Sequence, residues 1–165
     1  MNSSVSAPTQ SPRTLVESVE REFALLDSRT RDLLQKIPAA MLYQPANLPG
    51  LTTSFGEVIL KSVGTVEQTC GGLNANLWDD PFEWTLPEAL STPALVSEYL
   101  DEVAQTREAF FARLKADEDL KKLIFLPGGE TQPLIRLLLE TLRRASGNLE
   151  RAAVILAATT NAGSE

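Results

Sequence analysis

Four separate stretches of this chain repeat apolar residues at spacings of three and four, and that repeat decides most of what the chain can fold into. A spacing of three and four lines one side of a helix, whereas a half-buried strand alternates every second residue. The first stretch spans about Arg13 to Lys36, with Leu15, Val19, Phe23, Leu26, Leu33 and Ile37 on its apolar side, and Pro38 stops it. The second follows Ser54 and carries Phe55, Val58, Ile59, Ser62/Val63, Val66, Cys70, Leu73 and Leu77, ending near Asn74–Asn76. The third runs from Thr92–Pro93 to about Ala116 through Leu95, Tyr99, Val103, Thr106, Phe110 and Leu114. The fourth opens near Thr131–Pro133 and continues to about Ala158. No alternating strand pattern and no internal repeat is visible.

The helix starts are written with ordinary capping chemistry. Ser54 followed three residues later by Glu57 is a capping box, each residue able to serve the other's backbone N–H. Thr92 followed by Pro93 places a cap before a proline at the first helical position. Gly71 and Gly72 weaken the end of the second helix, by up to ~1 kcal/mol each relative to alanine. Gly147–Asn148 leaves open whether the fourth helix is continuous. Its PLIRLLLETL segment is apolar around much of its circumference, which marks it as a central core helix with a share left over for an oligomer interface.

The connections are long. Residues 37–52 carry Pro38, Pro45, Pro49 and Gly50; residues 77–90 hold Trp78 and Trp84 among acids and prolines. FLPGGET is a turn, preceded by a short helix around Asp117–Leu123. The expected architecture is all-α, a four-helix bundle with long connections over residues 13–160, with a disordered lead over 1–12 and a disordered tail over 161–165.

Composition narrows the functional classes. A chain of 165 residues, 43% hydrophobic and 22% charged, fits one globular domain. Fifteen basic against twenty-two acidic residues give a net charge of −7, which disfavours broad nucleic-acid binding. No apolar run approaches the roughly 20 residues of a membrane span, and the N-terminus lacks a signal-peptide centre, so a cytoplasmic protein without membrane contact is expected. Cys70 is the single cysteine and sits on an apolar stripe, which suits a buried, unreactive thiol in a reducing compartment.

The order of parts resembles the DinB-like superfamily. The resemblance rests on a first helix ending in IP, a P-x-N-L-P-G loop before TSFGEVIL, an aromatic acidic loop and a leucine-rich last helix, over roughly residues 14–158. It implies a bundle holding a divalent metal at its mouth with three histidines, one on the second helix and a pair four residues apart on the last. The matching positions here are Lys61, Arg144 and Asn148, and the chain contains no histidine. An ammonium and a guanidinium do not ligate metal, so no metal, no cofactor and no catalytic residue is expected.

The same positions are ligand-pocket candidates. Lys61 and Arg144 would favour a small anionic ligand between the two helices, with Asn148 one turn from Arg144 and Trp78 and Trp84 as a lid. The competing reading makes Lys61, which lies ~140° from the centre of its helix's stripe, a solvated residue. It also pairs the basic stretch Arg143, Arg144 and Arg151 with Glu140 or Glu150 at the surface. Two functions follow: a non-catalytic binding or structural protein, homodimeric through the fourth helix, or an enzyme related to the family's metal-dependent thiol transferases and hydrolases. They divide on whether Lys61, Arg144 and Asn148 converge on a cavity.

Overall fold

A computed structural model describes residues 11–46, 48–81 and 86–162, with side chains through 159. Residues 1–10 of the expected disordered lead over 1–12, and Trp84, lie outside the described residues. The chain forms an all-α bundle of helices α1 (Thr14–Leu34), α2 (Phe55–Ala75), α3 (Pro93–Arg113) and α4 (Leu134–Ala162). Short 3₁₀ turns occupy Ala39–Met41 and Asp117–Lys121, the second where a short helix was expected. Helix α4 passes through Gly147 and Asn148 without a break and reaches Ala162, beyond the expected end. No helix among the described residues is long and apolar enough to cross a membrane.

Both caps form as the sequence indicates. The Ser54 backbone N–H donates to Glu57 Oε2 at 2.7 Å, and the Glu57 N–H donates to Ser54 Oγ at 3.2 Å. Those bonds hold the Glu57 carboxyl below its usual range, backbone donation being the largest cause. Thr92 accepts from the Leu95 N–H at 3.2 Å.

Side-chain pairings fix the helix directions. Glu67 meets Tyr99 and Asn74 meets the Thr106 carbonyl, so α2 and α3 run parallel. Ser62 donates to the Ala145 carbonyl at 2.8 Å and Thr69 meets Thr141 at 2.8 Å, so α2 and α4 run antiparallel. Arg107 reaches the Phe23 carbonyl and Arg13 the Phe111 carbonyl, which sets α1 against α3. The order is up, down, down, up, with α2 packed chiefly on α4 and α3, and α1 on the same two. A parallel α2–α3 pair demands that residues 76–92 climb the whole bundle, and that length is what the long second connection supplies.

The climb runs over α2 itself. A methyl group added at Gly72 would lie 2.3 Å from the Trp78 ring, one at Gly64 3.1 Å from Pro81, and one at Gly56 2.4 Å from Tyr43, whose hydroxyl bonds the Leu90 carbonyl. Glycines eight residues apart thus let the connections lie directly on the helix backbone. Helix α2 is therefore enclosed on three sides, with thirteen of its residues buried.

This corrects the expected burial in several places. The most enclosed helix is α2 rather than α4, on which Leu139 stands 54% exposed. Leu15 and Leu77, expected on buried stripes, are 59% and 61% exposed. On α1, Phe23 and Leu26 are buried as expected, with Val16, Thr30 and Leu34 in place of Leu15, Val19 and Leu33, and the backbone N–H groups of Leu15 and Val16 donate to the Asp117 carboxylate. On α3, Arg107 is buried where Thr106 was expected. Helix α3 ends at Arg113 rather than near Ala116. A hairpin that the sequence pattern did not indicate pairs β1 (Leu123–Phe125) with β2 (Thr131–Pro133), antiparallel, with Ile124 opposite Gln132.

Candidate functional site

An open cleft of about 440 Å³ lies along the seam of α2 and α4, under the climbing connection. Helix α2 contributes Leu60, Lys61, Gly64, Thr65 and Gln68; the connection contributes Asp80 and Pro81; helix α4 contributes Arg144 and Asn148. Lys61, Arg144 and Asn148, matched from the sequence alone, come together in one cavity.

Local folding explains why they meet. Ser62, next to Lys61, is pinned to the Ala145 carbonyl, next to Arg144, so one hydrogen bond sets both cations at the same level of the seam. Thr65 and Gln68 fall one and two turns below Lys61 on the same side of α2. The Thr65 hydroxyl donates to the Lys61 carbonyl at 2.7 Å, which leaves its lone pairs as what it can offer the cleft. Gln68 Nε2 donates to the Trp78 carbonyl at 2.9 Å, so the connection is tied to the floor of the site by its backbone.

Lys61 is exposed, as its place off the buried stripe requires, yet it borders the cleft because the cleft opens at the outer edge of the α2–α4 seam. Of the expected surface pairings of the basic stretch, one is partly kept: the Glu140 carboxyl is held below its usual range chiefly by Arg136, with Arg143 a lesser cause. Glu140 binds Arg136 at 3.0 Å and Glu150 binds Arg29 at 2.5 Å, so neither is bonded to Arg144.

Trp78 corrects the lid expectation. Its ring covers Gly72, it bonds Asn76 through Nε1 at 2.9 Å, and it lines a second hollow with Phe125, Leu126 and Pro127 instead of the cleft. Its ring can lie there because Gly72, lacking a side chain, admits it that close to the helix.

The cleft residues not singled out from the sequence are of two kinds. Thr65 and Gln68 were within reach of helical spacing from Lys61, whereas Asp80 and Pro81 arrive only through the path of the connection.

Other reactive groups do not line this cleft. Burial pushes the Cys70 thiol up to about 12, leaving it a core residue. Glu67 accepts a hydrogen bond from Tyr99, and burial raises its pKa despite that bond. Among the described residues, no three or more of His, Cys, Asp and Glu are grouped so as to hold a metal ion. Comparison with family models, characterised proteins and solved structures returned no match.

Proposed function

We propose that this chain is a DinB-like bundle that has given up the family's metal triad and works as a non-catalytic binding protein. Its ligand is a small molecule bearing a carboxylate or phosphate, taken into the α2–α4 cleft. The observation that carries this reading is the placement of Lys61 and Arg144, from two helices, on one cavity with Asn148 beside them. A guanidinium fork and an ammonium are matched to such anions and opposed to a metal cation. The lining offers no imidazole and no thiol, the groups that most often carry nucleophilic or proton-transfer work near neutral pH.

The test is calorimetry with simple carboxylates and inorganic phosphate on the wild type, Lys61→Ala and Arg144→Ala. Each variant is expected to weaken binding at least tenfold with an unchanged circular dichroism spectrum. Equal binding by all three proteins would overturn the assignment. Zinc, nickel and manganese are expected to leave the melting temperature where it is, since an ion bound only by the native state would raise it. A stabilising shift with near-stoichiometric metal would restore the enzyme reading.

A further inference from the structure

The two cations of the cleft are unspent. Among the described residues neither Lys61 nor Arg144 takes part in an ion pair, the carboxylates of Glu140 and Glu150 being held by Arg136 and Arg29. Glu57, one turn before Lys61 on α2, feels the Lys61 charge but is bonded to Ser54. Both cations therefore remain available to one anionic group, and the Asn148 amide can donate to the same group.

Lower in the cleft the lining changes character. Thr65 spends its proton on the Lys61 carbonyl at 2.7 Å, and Gln68 spends an Nε2 proton on the Trp78 carbonyl at 2.9 Å. Each of those bonds leaves an acceptor behind: Thr65 Oγ1 keeps lone pairs alone, and Gln68 Oε1 takes no hydrogen bond from any described residue. Asp80 also borders the cleft but is already engaged, so a cationic group on the ligand finds no free counter-charge here. A second anionic group would add to what the protein's net charge of −7 already opposes. The far end of the ligand is then uncharged, and it must donate, because Thr65 and Gln68 would otherwise be covered without a partner.

From the placement of two unpaired cations above two uncharged acceptors in one cleft, we infer that the ligand is a small hydroxycarboxylate. Its carboxylate lies toward Lys61 and Arg144 and its hydroxyl donates to Thr65 Oγ1 or Gln68 Oε1. Thr65 and Gln68 follow Lys61 by roughly 6 and 10 Å along the helix axis, so a short carbon chain separates the two groups. The space suits such a molecule: about 440 Å³ falls within the roughly 300–1,000 Å³ of ligand pockets. This rests on the anion-binding reading and narrows it. Binding alone is involved, and no bond is made or broken.

The experiment uses the full chain and unbranched hydroxycarboxylates from glycolate to 6-hydroxyhexanoate, the hydroxyl on the terminal carbon. Each is compared by calorimetry with its O-methyl ether and with the unsubstituted acid of the same chain length. At least one hydroxycarboxylate is expected to bind fivefold or more tightly than both comparators, since the ether keeps the oxygen and loses the donor. In the double variant Thr65→Val, Gln68→Met that advantage is expected to fall below twofold while ether binding is unchanged. An advantage that survives in the folded double variant would overturn the assignment to Thr65 and Gln68. Ethers binding as tightly as hydroxycarboxylates would overturn the hydroxyl and leave the anion site standing. No binding by any probe, with phosphate also silent, would overturn both. The ligand series is read on the wild type, so it decides for or against the hydroxyl whether or not the variant folds.

Discussion

Glu67 sets a pH dependence that a surface carboxylate would not. It is half-buried on α2, bonded by the Tyr99 hydroxyl, with Glu102 adding repulsion, and burial dominates, so its folded pKa lies above the ordinary value. The folded state then holds a proton that the unfolded state has released. The contribution of Glu67 to stability is complete below the unfolded pKa and is lost as pH rises through the raised one. Glu67→Gln keeps an acceptor for Tyr99 and removes the charge. Its melting temperature is expected to exceed the wild type's at pH 7, and the gap to close by about pH 4, near the ordinary carboxylate value. Thermal melts of both proteins across that range check this, and a gap that does not change with pH would contradict it. Lys61 shows how far a residue could be read from sequence. Its distance from the apolar stripe gave its exposure correctly, but a helical wheel describes one helix, and the cleft is made by two helices and a connection. Asp80 had no signal at all, because its place follows from the route of residues 76–92.

Individual helices were legible where chemistry is local. Ser54, Glu57, Thr92 and Pro93 announce their roles by type and spacing, and the structure forms both caps. The glycines of α2 were legible only as weak helix formers. An absent side chain leaves no mark in an apolar pattern, and what packs against it is known only once the connection is placed. The hairpin escaped for a related reason: three-residue strands with exposed Leu123 and Phe125 present no inward and outward alternation long enough to register. Two glycine substitutions separate the cases. Gly147→Ala has nothing within 4 Å of the new methyl and is expected to stabilise by about 0.5–1 kcal/mol, the ordinary helix-propensity gain. Gly72→Ala drives its methyl to 2.3 Å from the Trp78 ring and is expected to destabilise by about 1–3 kcal/mol, as overpacking does. Urea unfolding gives both values, and tryptophan fluorescence should shift only in Gly72→Ala. Two stabilising substitutions would mean that the Trp78 ring does not rest on Gly72.

At the scale of the molecule, apolar surface is unevenly distributed. Leu139 and Val154 are exposed on α4, and Leu15 and Leu25 on α1, which packs beside it. A second copy covering the α4 face is the association we propose, on the ground that such surface is removed from water by pairing. Light scattering is expected to give twice the 18.0 kDa chain mass at micromolar concentration, and Leu139→Asp to return it to one. A concentration-independent mass of one chain in the wild type would dispose of the dimer.

The α2–α4 seam carries a consequence for synthesis. Ser62 waits for Ala145 and Thr69 for Thr141, so the most enclosed helix of the protein finds its chief partner only after more than seventy further residues have been made. On the ribosome, at roughly 5–20 residues per second, α2 emerges with an apolar flank that stays bare for several seconds. Its glycines let the connection settle over the other flank in the meantime. A nascent chain arrested before Leu134 is therefore expected to recruit chaperones and to resist proteases poorly, and both behaviours to end within the few turns of synthesis that deliver Thr141 and Ala145. The bundle is completed from its last helix inward, and the α2–α4 cleft comes into being in that same final step.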